Sequence, residues 1–257
     1  MSGLHDAGLL VRRSVVRILR QPANIAFSFV FPLMLLAVNA GGLNAATKIP
    51  SFPTDAYVTF ALAVPFIQGA LFASNIAGTN FAQDIESGFL SRLALTPVTR
   101  TALLGGQLAG VIALGLAQAV VYLAVGEAAG AGFKAGPAGV IVLFGLSMLI
   151  TLAFGALGVF AAIRTGSGEA VQGLFPLFFV VLFLSSMALP RDLIETDWFR
   201  TIATYNPVSY LLEAIRSLLI TGWDGEALAL GFGCAAAIAA VALTASALAL
   251  RTRVIRT

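Results

Sequence analysis

Polar and apolar positions in this chain are not interleaved; the polar ones gather in short connections between long apolar blocks. Six blocks contain no Asp, Glu, Lys, Arg or His: residues 23–43, 56–81, 102–125, 138–163, 171–189 and 227–250. Each approaches or exceeds the roughly 20 residues a helix needs to cross about 30 Å of hydrocarbon. None alternates with a period of two, which argues against a barrel of tilted strands about 10 residues long. The pattern predicts an all-α membrane protein with six transmembrane helices.

The connections have patterns of their own. Residues 9–21, LLVRRSVVRILRQ, place Arg12, Arg13, Arg17 and Arg20 on one side of a helix at about 100° per residue, with Val11, Val15, Ile18 and Leu19 on the other. This predicts an amphipathic N-terminal interfacial helix whose arginines face anionic headgroups or a cytoplasmic partner. Between the second and third blocks, Asp84 is suited to cap a short helix with Glu86 in its first turn, while Ile85, Phe89 and Leu93 form one apolar stripe beside Arg92. That helix should stop near Leu95, because Pro97 pushes Thr96 out of helical geometry. Thr96 and Pro97 then suit the start of the third span.

The long connection after the fifth block contains Asn206-Pro207, an N-cap followed by a first-turn proline, and a helical stretch that Gly222 should end. At about 22 Å this helix is too short to span comfortably. It puts Glu213 and Arg216 three residues apart, where side chains meet on a helix surface. With Trp198, Phe199, Tyr205, Tyr210 and Trp223 nearby, it predicts an outer re-entrant or interfacial helix that lies on or dips into the outer leaflet.

Within the blocks, Pro32 and Pro65 remove backbone donors from the first two spans and suit kinks there. Gly106 and Gly110 form a GxxxG pair that permits close helix approach. The second span carries Gln68, Ser74, Asn75, Thr79 and Asn80, polar groups that must face other helices or a polar path. In the fifth, Phe175, Phe178, Phe179 and Phe183 surround Pro176, as packing or as the lining of a path.

Composition agrees with the pattern. Hydrophobic residues make up 59% and charged residues 11%, against about 25% charged in soluble domains. Orientation follows from the basic residues, which are retained on the cytoplasmic side. With the amino terminus inside, ten fall in inner segments (Arg12, Arg13, Arg17, Arg20, Arg92, Arg100, Arg164, Arg251, Arg253, Arg256) and five in outer ones (Lys48, Lys134, Arg191, Arg200, Arg216). Both termini are therefore expected in the cytoplasm, and the net charge of +3 needs no nucleic acid to explain it. Cys234 is the single cysteine, so no intrachain disulfide forms. His5 has no second His or Cys companion for a metal, and no catalytic constellation emerges. No G-x-x-x-x-G-K-[ST] phosphate loop occurs, so this chain lacks the cradle that holds ATP phosphates.

The order of these parts resembles the type-2 ABC exporter permeases, closest to the bacterial drug- and antibiotic-resistance branch. The resemblance covers nearly the whole chain. One matching motif is Glu86, Gly88, Leu90, Arg92, Leu93, Thr96, Pro97 and Arg100, with Phe89 at a variable place; the other is Asn206, Pro207, Val208 and Tyr210, followed by Arg216. The resemblance implies a single transmembrane domain over 1–257: a cytoplasmic amphipathic helix (1–22), a six-span bundle (23–250) and a basic cytoplasmic tail (251–257). It implies that Asp84 to Leu95 is a cytoplasmic coupling helix seated in a separate ABC ATP-binding subunit. ATP and Mg would be held by that partner and no cofactor by this non-catalytic chain. It further implies pairing with a second permease copy or homologous permease, a central route lined by Gln68 and Asn75 with Phe175, Phe178, Phe179 and Phe183, and an outer helix over its exit.

On this reading the protein exports an amphipathic, drug-like or lipid-like substrate across the plasma or inner membrane, because no charge lies within any span. A secondary transporter or channel without an ATPase would need ionisable groups deep in the membrane, and Glu127 and Arg164 lie at span ends. A non-transporting scaffold or immunity protein would share the six spans and the inner loop.

Overall fold

The computed structural model describes residues 2–89 and 100–254, all helix, turn and irregular connection with no strand among them. The helices are α1 (Ser2–Leu19), α2 (Pro22–Gly42), α3 (Tyr57–Ala61), α4 (Ala63–Glu86), α5 (Arg100–Ala128), α6 (Gly136–Thr165), α7 (Gly168–Phe183), α8 (Asp197–Tyr205), α9 (Pro207–Arg216) and α10 (Gly225–Val254). Five segments are long and apolar enough to cross a membrane: Pro22–Gly42, Tyr57–Glu86, Leu103–Ala128, Gly136–Thr165 and Gly225–Arg251. Helix α7 is equally apolar but has 16 residues, about 24 Å at 1.5 Å per residue.

That shortening corrects the expectation of a fifth span reaching residue 189. The chain leaves helical geometry after Phe183 because its next polar groups are claimed from elsewhere. The Ser209 hydroxyl accepts from the Ser186 N–H at 3.0 Å, and the Ser186 and Met187 carbonyls accept from Arg216. The prolines act unequally. Pro65 lies just after a break at Leu62, where α3 ends and α4 begins, because its ring displaces the carbonyl of Ala61 and it has no N–H to offer. Pro32 and Pro176 sit inside continuous helices.

Helix α4 is the axis of the bundle, buried over nearly its whole length among α2, α5, α6 and α7. Its closest crossing is with α6. A Cβ on Gly158 would lie 2.1 Å from the Ser74 carbonyl oxygen, and one on Gly78 would lie 2.7 Å from the Gly158 oxygen. The connections segregate to two ends. At one end lie α1, the chain after α4, and the turn between α6 and α7, closed by Gly166 at φ 73°. At the other lie the remaining connections, tied by Ala135 N–H to the Leu218 carbonyl and Tyr57 O–H to the Ala188 carbonyl.

Helix α1 does more than lie on a surface. Leu10 and Ser14 rest where Cβ atoms on Gly106 and Gly110 would be, and the Ser14 hydroxyl donates to the Gln107 carbonyl at 2.9 Å. The GxxxG pair therefore receives the amino-terminal helix. Leu9, Leu19, Arg12 and Arg20 stay exposed, an amphipathic remainder suited to a membrane interface.

Candidate functional site

At the α1 end the organising residue is Asp84. It does not cap a new helix as expected; it occupies the last turn of α4, where the helix dipole disfavours an acid. Two arginines of α1 reverse that penalty. Arg13 donates from both terminal nitrogens, at 2.7 Å to one carboxylate oxygen and 3.1 Å to the other. Arg17 donates at 2.8 Å to the first oxygen and at 2.7 Å to the Gln83 side chain. The Arg13 guanidinium also stacks 4.0 Å from the Phe89 ring centroid. The arginine face expected to meet headgroups or a partner is thus divided: Arg13 and Arg17 turn inward and Arg12 and Arg20 outward.

Glu86 likewise starts no helix of its own. Its carboxylate accepts from the Gly168 N–H at 2.9 Å, placing negative charge at the positive end of α7. Gly88 follows at φ 67°, a left-handed residue that turns the chain away from α4. The rest of the expected coupling helix, with Arg92, Leu93, Thr96 and Pro97, lies outside the described residues. Arg100 is the first residue of α5.

The expected path residues separate into three environments. Gln68 is 1% exposed, buried within this one chain rather than open to a route. Asn75 is partly exposed on α4, one turn from Thr79, whose hydroxyl donates to the Asn75 carbonyl. Phe72 lies on the same face and is flanked by α2 and α7, in edge contact with Phe27, Phe31 and Phe179 and tilted against Phe175. Phe183 extends this aromatic row beyond Phe179. Phe178 points the other way, edge-on to Phe154 of α6. At about 100° per residue, Phe178 lies about 60° to one side of Phe175, whereas Phe179 and Phe183 lie to the other, so Phe178 marks the edge of the aromatic face that meets α6. The structure therefore gathers Phe72, Phe175, Phe179 and Phe183 into one aromatic cluster, leaves Asn75 partly exposed on α4, buries Gln68 and turns Phe178 toward α6.

At the opposite end the Asn206-Pro207 start is observed: the Asn206 side chain accepts from Val208 N–H at 2.9 Å, with Pro207 in the first turn. Helix α9 continues as a π turn over Ser217–Thr221 and stops at Gly222, φ 99°. The helix does not lie on a surface. Val208, Leu211, Leu212, Ile215 and Arg216 are buried against the bundle, because its apolar face has the long helices α4 and α10 to pack on. The exposed aromatics are Trp198, Tyr205 and Trp223 in the flanking chain.

The expected pairing of Glu213 with Arg216 is replaced. Glu213 forms its ion pair with Arg191, which also lies over the Tyr210 ring at 4.5 Å. Burial by itself would lower the Arg191 pKa, but Glu213 and Tyr210 outweigh it and leave it raised. Arg216 donates to three carbonyls, Phe60 at 3.1 Å and Ser186 and Met187 at 2.7 Å each. Its guanidinium carbon sits 3.5 Å over the Phe60 ring. Burial pulls the Arg216 pKa down to about 9, against the opposing fields of Tyr57 and Glu213. One side chain of α9 thus joins α3 and the chain just beyond α7.

The span made by α3 and α4 is consequently tied to α7 and the chain that follows it at both ends, by Glu86 to Gly168 at one and through Arg216 and Tyr57 at the other. Such a pair can move as one body and carry a displacement between the ends. Sequence spacing reveals few of these ties: Arg13 and Asp84 are 71 residues apart, and Arg216 and Phe60 156. The one signal along the chain is a lone acid and a lone arginine beside apolar spans, each requiring a partner.

The sequence model of the ABC-2 type transporter family matches residues 6–220. A putative transport permease, ycf38, of Porphyra purpurea is 23% identical over 224 residues, covering 86% of this chain and 76% of the relative. The corresponding ycf38 protein of Pyropia yezoensis is 28% identical, covering 84% and 74%. A protein of Mycobacterium tuberculosis named as a probable doxorubicin resistance ABC transporter permease, DrrC, is 21% identical, covering 83% and 76%. With most of its length matched, a wholly helical described fold and five helices of spanning length, this multi-pass membrane protein belongs to the ABC-2 type transporter family.

Proposed function

We propose that the chain is the membrane-spanning permease subunit of an ATP-driven exporter, working as a pair with a second copy or a homologous permease and powered by a separate ATP-binding subunit that holds ATP and Mg. The observation that carries this reading is the double tie of the α3–α4 span to α7 and the chain that follows it. It supports a lever that takes a push at the Asp84 end and delivers it to the Arg216 end. The absence of a phosphate loop in the sequence is in keeping with energy arriving from a partner. Both termini and the Asp84 end would face the cytoplasm and α9 the outer side of the cell membrane. The face that carries Asn75 and the Phe72, Phe175, Phe179 and Phe183 rings would line a route for an amphipathic, drug-like or lipid-like substrate between the paired permeases. The name of the mycobacterial relative favours a drug-like one.

Co-purification with the ATP-binding subunit, followed by transport and ATP hydrolysis in proteoliposomes, tests the reading. Asp84→Ala leaves Arg13 and Arg17 without their acid, and transport per ATP hydrolysed is expected to fall at least about tenfold while both subunits still reach the membrane. Full coupling in Asp84→Ala, or a permease that binds no ATP-binding subunit, contradicts it.

That face is tested separately. Phe179→Ala and Asn75→Ala should each shift the ranking of exported substrates by about three- to tenfold with normal assembly. Loss of assembly without a change in ranking would make these residues packing elements.

A further inference from the structure

An open cavity of about 560 Å³ lies at the α9 end, lined by Pro53, by Phe60 of α3 and by residues within 190–227, apart from the aromatic cluster. Its inner wall carries the buried Phe60 and Arg216 with the part-buried Glu213 and Arg191, and its exposed lining includes Asp192 and Asp224. Charge is sorted along its depth. Arg191 is matched by Glu213. Arg216, 5% exposed, has no carboxylate within ion-pair distance among the described residues. The inner wall therefore has an excess positive charge, held by a guanidinium whose three bonds to carbonyls leave one N–H free on each terminal nitrogen.

The rim has the opposite sign. Asp224 accepts the N–H groups of Glu226 and Ala227 through one oxygen and keeps the other, and Asp192 meets no basic side chain within ion-pair distance among the described residues. An anion alone would be repelled by the rim and a cation alone by the inner wall. The complement is a zwitterion that sets its anion toward the inner wall and its cation at the rim. Trp223, beside Asp224, is 57% exposed, and Tyr205, beside the lining residue Thr204, is 82% exposed. Such exposed amphipathic aromatics settle at headgroup depth, which brings the cavity mouth level with lipid headgroups.

We infer that this cavity binds a phosphate–ammonium zwitterion, the headgroup chemistry of an ethanolamine phospholipid, with the phosphate toward Arg216 and Arg191 and the ammonium between Asp192 and Asp224. A planar guanidinium fork suits phosphate oxygens, and two rim carboxylates suit a primary ammonium. The site is independent of what the permease exports.

Native mass spectrometry of the full chain released from detergent tests this, with phosphatidylethanolamine, phosphatidylglycerol and, separately, O-phosphoethanolamine as probes. Phosphatidylethanolamine should be retained about tenfold more tightly than phosphatidylglycerol. Asp192→Asn combined with Asp224→Asn should remove that preference, lowering phosphatidylethanolamine retention and raising phosphatidylglycerol retention because the rim no longer repels an anion, while Asn at 224 still caps α10. Arg191→Gln should weaken both lipids. Binding of O-phosphoethanolamine by itself makes a free headgroup compound a competent ligand, and retention of the phospholipid alone makes the source a bilayer lipid; either result supports the site. Equal retention of the two lipids, unaltered in the double variant, or no binding of either ethanolamine probe, overturns it.

Discussion

Replacing Arg216 by alanine is expected to leave the permease poorly assembled, with far less protein in the membrane and a thermal midpoint in detergent lowered by roughly 10 °C or more. Arg216 satisfies three carbonyls on two separate segments, Phe60 in α3 and Ser186 and Met187 beyond α7. Truncation strands all three, at about 1–3 kcal/mol for each buried group left without a partner. It also empties the volume above the Phe60 ring, where the guanidinium packs at 3.5 Å. Water from the adjoining cavity can rehydrate part of this loss, so the effect should sit toward the lower end of that range. Arg216→Lys should recover little, because one ammonium cannot reproduce a planar fork serving carbonyls in different directions. A midpoint within a degree or two of the parent for Arg216→Ala would show that the three bonds do not hold α3 and the chain beyond α7 together.

Gly158→Val is expected to be comparably damaging, and Gly158→Ala is expected to be harmful as well. The new Cβ would fall 2.1 Å from the Ser74 carbonyl oxygen and 2.9 Å from its carbon. That neighbour is backbone inside a buried helix and cannot swing aside, so α4 and α6 must separate. Overpacking of this kind typically costs about 1–3 kcal/mol and more where the backbone must shift. Gly145, on the same helix, is the control: nothing lies within 4 Å of a Cβ there. Gly145→Ala should be neutral or slightly stabilising through helix propensity. Thermal midpoints and size-exclusion profiles of the three variants decide the matter. Equal behaviour of the substitutions at Gly158 and Gly145 would mean that the crossing is looser than its geometry requires.

The charged stretch after α4 shows how far local rules reach. Asp84 and Glu86 have the spacing of a helix start, and by local rules alone a short helix begins at Asp84. In the fold both acids belong to the end of α4, because Arg13 and Arg17 neutralise one and the N-terminus of α7 receives the other. The same holds for Glu213 and Arg216, which sit at pairing distance on one helix yet take different partners. By contrast, Asn206-Pro207 and Gly222 act within one turn of themselves, and both do what their sequence says. Gly106 and Gly110 are legible as a place of close approach, while the helix that approaches, α1, is not. The Phe positions of the fifth span share a broad helix face by spacing, and only the neighbours in the fold divide them, α6 taking Phe178 and the Phe72 cluster taking Phe175 and Phe179.

Consecutive residues are enough to define the class of the protein: a helical membrane bundle, its spans and breaks to within a few residues except in the fifth, the helix start at Asn206, and the resemblance to a permease family through two motifs. Those properties are local. Transfer of a segment into hydrocarbon depends on consecutive side chains, and a cap or a stop depends on residues within one turn. Which polar groups meet is a property of the folded bundle alone. Asp84 joins Arg13 and Arg17, Glu86 joins α7, Arg216 ties two segments, and Gln68 is buried while Asn75 stays partly exposed. A buried polar group must find a partner somewhere, but where that partner lies is set by the packing of helices far apart in the chain.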